Sequence, residues 1–186
     1  MKSIALFLVI LSSYDAFKIV QAFLSDHYWR EFNGLLPTDA IPGGVEESGD
    51  ITYIGQFSIV AEYNTDIASI HTIVATLYKG KDRAVAPYRG HTIYSNETSN
   101  LKVLCAGNMG RYKWFNPKSL FAPNCRFVIG GNEDGIHLYI GKATQGREKL
   151  TGKVFSDTSF HTTKLVTPYQ GGEMTYDSYE ILTFCY

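Results

Sequence analysis

The sequence predicts an all-β, antiparallel fold made of two tandem repeats, and three observations carry that reading. An ordered set of landmarks occurs twice. The first copy runs Trp29, Pro37, Ile41-Pro42-Gly43-Gly44, Tyr53-Ile54-Gly55, Pro87-Tyr88-Arg89-Gly90 and Leu101-Lys102-Val103-Leu104-Cys105. The second runs Trp114, Pro123, Val128-Ile129-Gly130-Gly131, Tyr139-Ile140-Gly141, Pro168-Tyr169-Gln170-Gly171 and Tyr179-Glu180-Ile181-Leu182. Shared order with only small changes in spacing is the signature of a duplication. Between the landmarks, apolar and polar residues alternate in short runs rich in β-branched and aromatic side chains. No stretch of about a dozen residues repeats its apolar positions at helical spacing.

Taken in order, strands are expected over 52–61, 69–78, 84–87 and 101–105 of the first repeat. In the second they are expected over 127–129, 137–144, 152–155, 164–167 and 179–184. Turn chemistry separates them: Pro42-Gly43-Gly44, Lys79-Gly80-Lys81-Asp82, Asn132-Glu133-Asp134-Gly135, Gln145-Gly146 and Gly171-Gly172. The glycine pairs read as turn residues. Residues 108–112 read as a bridge between the repeats, which extend over about 29–105 and 114–185. A repeat of this size with four or so strands buries too little surface alone. The expectation is one domain over residues 23–186, its two repeats related by a pseudo-two-fold axis around one core. Trp29 and Trp114 are expected to anchor that core.

Residues 1–22 are of another kind. Met1-Lys2 is a positive start, residues 4–11 are an apolar run, and Val20-Gln21-Ala22 offers small residues for cleavage. This is the pattern of a secretory signal peptide, and the run is far short of the about 20 residues a membrane span needs. Secretion into an extracellular, oxidising compartment is therefore expected. Asn96-Glu97-Thr98 is a glycosylation sequon in a polar, turn-like segment, which agrees with it. Three cysteines, Cys105, Cys125 and Cys185, allow one disulfide and leave one thiol, with the pairing open.

Net charge is −1, so the chain carries no electrostatic footprint for nucleic acid. No second apolar stretch suits membrane insertion. The histidines at 27, 71, 91, 137 and 161 are scattered and the cysteine spacings do not suit zinc, so no metal is expected. There is no Gly-rich phosphate loop leading into a helix and no Gly-x-Ser-x-Gly elbow. Glu46-Glu47 and Glu133-Asp134 are adjacent carboxylates, which on a strand point to opposite faces rather than flanking one bond. Neither an enzyme nor a cofactor is expected.

The run Trp…Pro…Gly-Gly…acidic-Gly…Tyr-Ile-Gly…Gly-Lys…Pro-Tyr-x-Gly…Tyr-Glu-Ile-Leu resembles the DM-nine domain family over essentially residues 29–185. The resemblance implies an antiparallel β structure built by two repeats together, with sugar in a shallow groove. It implies mannose binding in innate immunity through an Asp in the acidic-Gly turn and a Lys after Gly. Those positions fall on Asp134 and Lys153. A carboxylate accepts from vicinal hydroxyls and an ammonium donates to their lone pairs. Tyr169, Tyr88 and Trp114 are candidates to cover the sugar's apolar face. The first repeat departs from this pattern. Its acidic turn, residues 44–50, is one residue longer, and residues 70–72 stand near the Gly-Lys position. A second site there would rest on Glu47 and His71. The expected partner is a mannose-type glycan on a microbial surface, bound by a dimer or larger assembly. The alternative is a salivary or gut protein-interaction factor that keeps the fold and has lost sugar binding.

Overall fold

The computed structural model describes residues 27–63, 67–96, 99–119, 124–156 and 163–186. The expected leader over 1–22, Glu97-Thr98 of the sequon and His161 lie outside the described residues. The first repeat supplies β1 (His27–Glu31), β2 (Pro42–Val45), β3 (Ile51–Tyr63), β4 (Ile67–Tyr78), β5 (Ala84–Tyr88), β6 (His91–Tyr94) and β7 (Lys102–Ala106). A single 3-10 turn at Met109–Arg111 leads into the second repeat. That repeat supplies β8 (Tyr112–Phe115), β9 (Cys125–Phe127), β10 (Ile129–Glu133), β11 (Ile136–Gln145), β12 (Glu148–Phe155), β13 (Leu165–Tyr169), β14 (Gly172–Tyr176) and β15 (Glu180–Cys185).

Every pairing is antiparallel, and the sheet runs β1-β7-β3-β2-β12-β13-β14-β6-β5-β4-β10-β11-β15-β8, with β9 on β15. The further pairing of β3 with β4 closes β3-β2-β12-β13-β14-β6-β5-β4 into an eight-stranded barrel. The strand path reads the same from either end once β1, β7, β3, β2, β12, β13 and β14 are exchanged for β8, β15, β11, β10, β4, β5 and β6. The two halves meet where β2 pairs with β12, β10 with β4 and β14 with β6.

The glycine pairs at the first two of those crossings are not turn residues. Gly43-Gly44 lies inside β2 and Gly130-Gly131 inside β10. A Cβ on Gly44 would sit 1.8 Å from the carbonyl oxygen of Lys149, and one on Gly131 would sit 2.1 Å from that of Thr72. Only hydrogen fits between the crossing backbones. The Gly171-Gly172 pair does begin as a turn: Gln170 and Gly171 both have positive φ and link β13 to β14.

One apolar cluster takes residues from both repeats. Ile54, Phe57, Ile73, Leu77 and Leu104 pack with Leu138, Ile140 and Leu182, all essentially without exposure. Trp29 and Trp114 are partly buried against it. Cys125 and Cys185 sit opposite one another on β9 and β15 and form the disulfide. By loop entropy, closing a loop of 60 residues is worth about 4 kcal/mol. Cys105 is the buried free thiol, pushed up to about 11 mainly by burial.

Candidate functional site

The acidic turn of the second repeat is a two-residue hairpin. Glu133 pairs with Ile136, and the intervening Asp134 and Gly135 have φ of 54° and 80°. Two positive φ values define the turn whose twist matches antiparallel strands, and Asp-Gly is a preferred sequence for it. Asn132 Oδ1 accepts from the Gly135 amide at 3.2 Å and fixes the turn from the strand side. The Asp134 carboxylate is thereby held at the surface, 42% exposed.

Its partners come from the first repeat. His71 of β4 approaches Asp134 Oδ1 with Nε2 at 3.2 Å, and Arg89 donates from Nη2 at 3.3 Å. Arg89 occupies another two-residue turn, Arg89-Gly90, with φ of 48° and 85°. The Tyr88 hydroxyl lies 3.2 Å from Nδ1, and Ser69 Oγ lies 2.9 Å from Nε2. His71 is buried, and burial holds its pKa below the ordinary histidine value despite the nearby Glu133 carboxylate. Ser69, Ile70, His71, Asn132, Asp134 and Gly135 line an open cavity of about 400 Å³.

Lys153 lies beneath this cavity rather than on it. Its side chain is 2% exposed, and Nζ donates to Glu133 Oε2 at 2.6 Å. Glu173 Oε1 stands 3.8 Å away, and the rings of Tyr88 and Phe155 flank the ammonium at 5.7 and 5.3 Å. Glu173 Oε2 accepts from the Gly90 amide at 2.9 Å, which ties the ion cluster to the turn carrying Arg89. Removing one partner of a buried pair leaves an uncompensated charge, so this cluster fixes the geometry above it. The glycine before Lys153 serves packing: a Cβ on Gly152 would sit 2.0 Å from the carbonyl oxygen of Val166.

The expected second site comes apart. His71 joins Asp134, in the acidic turn of the other repeat, while Glu47 lies exposed in the loop between β2 and β3. Strand register also moves the counterpart of Lys153. Ile140 pairs with Lys153, and its counterpart Ile54 pairs with Thr76, so the first repeat has a threonine there and not a residue of the 70–72 segment. Arg89 and Glu173 were not anticipated from sequence. The signal for Arg89 was its place in Pro-Tyr-x-Gly, a turn motif present in both repeats.

The DM9 repeat model matches residues 66–175, more than half of the chain. The chain belongs to the DM9 repeat family. No curated protein matches it. The matched span begins within the first repeat and contains His71, Tyr88, Arg89, Glu133, Asp134, Lys153 and Glu173. In this DM9 chain the cluster around Asp134 thus falls wholly inside the segment that matches the family model. Tyr88 packs on the cluster, whereas Tyr169 lies beside a different cavity, with Tyr78, Tyr94 and Gln170. The Trp114 ring is covered by the Lys142 ammonium at 4.3 Å.

Proposed function

We propose that this DM9 protein is a secreted, non-enzymatic carbohydrate-binding protein of innate immunity that takes mannose-type glycans on microbial surfaces. The observation that carries the reading is the Asp134 carboxylate: exposed, fixed on a two-residue turn, and set in an open cavity with the polar side chains of Asn132, Ser69 and His71. Two vicinal sugar hydroxyls donate to Asp134, while Arg89 donates to ring or hydroxyl oxygens. Arg89 gives up part of its contact with Asp134 to do so. Lys153 acts from below, holding Glu133 and hence the turn, with Tyr88 between it and His71.

A cavity this open gives weak single-site binding, and linking sites raises avidity by ~10²–10⁴. The protein therefore works as a dimer or larger assembly on clustered glycans. The test is a glycan array with the secreted protein and its Asp134→Ala variant side by side. Mannose-type signal lost in the variant supports the reading. A blank array from folded wild type removes it. The alternative, a protein-interaction factor of saliva or gut, draws on one observation. Val60 and Ile70, paired across β3 and β4, are 66% and 72% exposed beside the same cavity. Capture of a protein partner that Ile70→Ser abolishes, with a blank array, favours that reading.

A further inference from the structure

The counterpart of the Lys153 cluster in the first repeat keeps the carboxylate and lacks the ammonium. Gly44 and Gly131 occupy the same place in β2 and β10, so Glu46 corresponds to Glu133. In the second repeat Glu133 is neutralised by Lys153 at 2.6 Å; in the first, Thr76 stands at the lysine's position. The change does not stop there. Register equates Leu138 with Thr52, and Val74 with Thr151. The apolar neighbours of one cluster are hydroxyls in the other. His71 corresponds to Glu148, so a second carboxylate replaces the imidazole.

These residues line one cavity. Glu46, Thr52, Thr76, Tyr78, Glu148 and Thr151, together with Lys149, line a space of about 20 Å³, room for a single water or ion. Thr52 and Thr151 are 3% and 2% exposed, and the hydroxyl oxygen of each has no hydrogen-bond partner. The glycine pair keeps them uncovered: a Cβ on Gly43 would lie 2.7 Å from Thr151 Oγ1, and one on Gly44 would lie 3.0 Å from Thr52 Oγ1. The pairing of Val45 with Lys149 sets Glu46 and Glu148 side by side across antiparallel strands, where like charges repel. Both raise the Tyr78 phenol beyond what its burial does. Among the described residues, no ion pair involves Glu46 or Glu148.

We propose that this cavity binds one calcium ion, which supplies the positive charge that Lys153 supplies at the other end of the barrel. The donors are all hard oxygens: the carboxylates of Glu46 and Glu148 and the hydroxyls of Thr52 and Thr151, with water completing the shell at the mouth. That donor set selects calcium over softer metals, and two carboxylates balance its charge. Among the described residues no three His, Cys, Asp or Glu side chains converge, so the two threonine hydroxyls are essential to the site. Two carboxylates place the affinity on the order of 0.1–1 mM, the range of extracellular calcium modules.

The test is thermal unfolding of chelator-stripped full-length protein with calcium chloride, against sodium chloride of equal ionic strength. Wild type should gain roughly 3–6 °C at about ten times Kd. Glu148→Gln should lose that gain, and Thr76→Lys, which rebuilds the internal ammonium, should lose it too. Terbium offers a second readout, because Tyr78 beside the site sensitises its luminescence; calcium should quench that signal, and Glu148→Gln should not show it. A wild type that calcium leaves unmoved, or an equal gain in Glu148→Gln, overturns the proposal and leaves the cavity a place for a buried water.

Discussion

Two acidic turns lie at corresponding places in this barrel, built on the same register with opposite electrostatics. At the turn between β10 and β11, Glu133 is neutralised by a buried lysine, and Asp134 above it is held by His71 and Arg89. At the turn between β2 and β3, Glu46 and Glu148 share a cavity with three threonines, and among the described residues neither forms an ion pair. The loop there is longer by one residue, so no side chain takes the stance of Asp134: Glu46 N donates to Asp50 O, and Glu47, Ser48 and Gly49 form the tip. One end spends its internal charge on holding a surface carboxylate rigid. The other carries two carboxylates that form no ion pair among the described residues.

The comparison breaks most sharply at the lysine. Lys153→Met leaves Glu133 buried without its cation and should cost about 3–5 kcal/mol in urea unfolding. Thr76→Val at the counterpart should cost less than about 1.5 kcal/mol, since it removes only the hydroxyl bond to Thr151 O at 3.2 Å. Similar losses in the two variants would mean that the ion cluster does not hold the site. Next comes His71→Gln, expected to cost about 1–3 kcal/mol at pH 8 by disturbing the bonds to Tyr88 and Asp134.

The same variant sharpens the pH dependence. Because the folded-state pKa of His71 is depressed by burial, the unfolded chain takes the proton first as pH falls. The stabilisation is complete above the ordinary histidine value of 6.5 and is lost as pH falls below it toward the folded value. Wild-type stability should drop through that window, and His71→Gln should flatten the drop; parallel pH curves would remove His71 as its source. A smaller effect on stability belongs to Asp134→Ala. An exposed pair is worth less than about 1 kcal/mol, so melting should barely change while glycan binding disappears. Glu47→Ala should change neither.

Much of the fold was legible because its signals are local. Alternation located the strands beginning near Thr52, Ser69, His137 and Tyr179, and X-Gly pairs located the tight turns. The glycine pairs were misread for an instructive reason. Local chemistry makes Gly-Gly a turn, but Gly44 and Gly131 are glycine because a backbone from the other half passes over them. Nothing near them in sequence announces that crossing. At the site, the Asp134-Gly135 turn was legible from its dipeptide, whereas Asp134 was singled out by the family resemblance. The burial of Lys153 was not, since an isolated lysine on an alternating strand reads as solvated. Only Glu133 and Glu173 beside it, drawn in from other strands, make its burial tolerable.

The sequence by itself determined the all-β class, the tight X-Gly turns and the kinship with DM9 repeats, because periodicity and turn chemistry act over a few residues. Tertiary structure alone decided that Cys125 joins Cys185, that Lys153 faces inward, and that His71 and Arg89 of one repeat serve Asp134 of the other. Closing the barrel brings together groups far apart in the chain, and which residues meet is set by strand register across that closure rather than by spacing along the sequence.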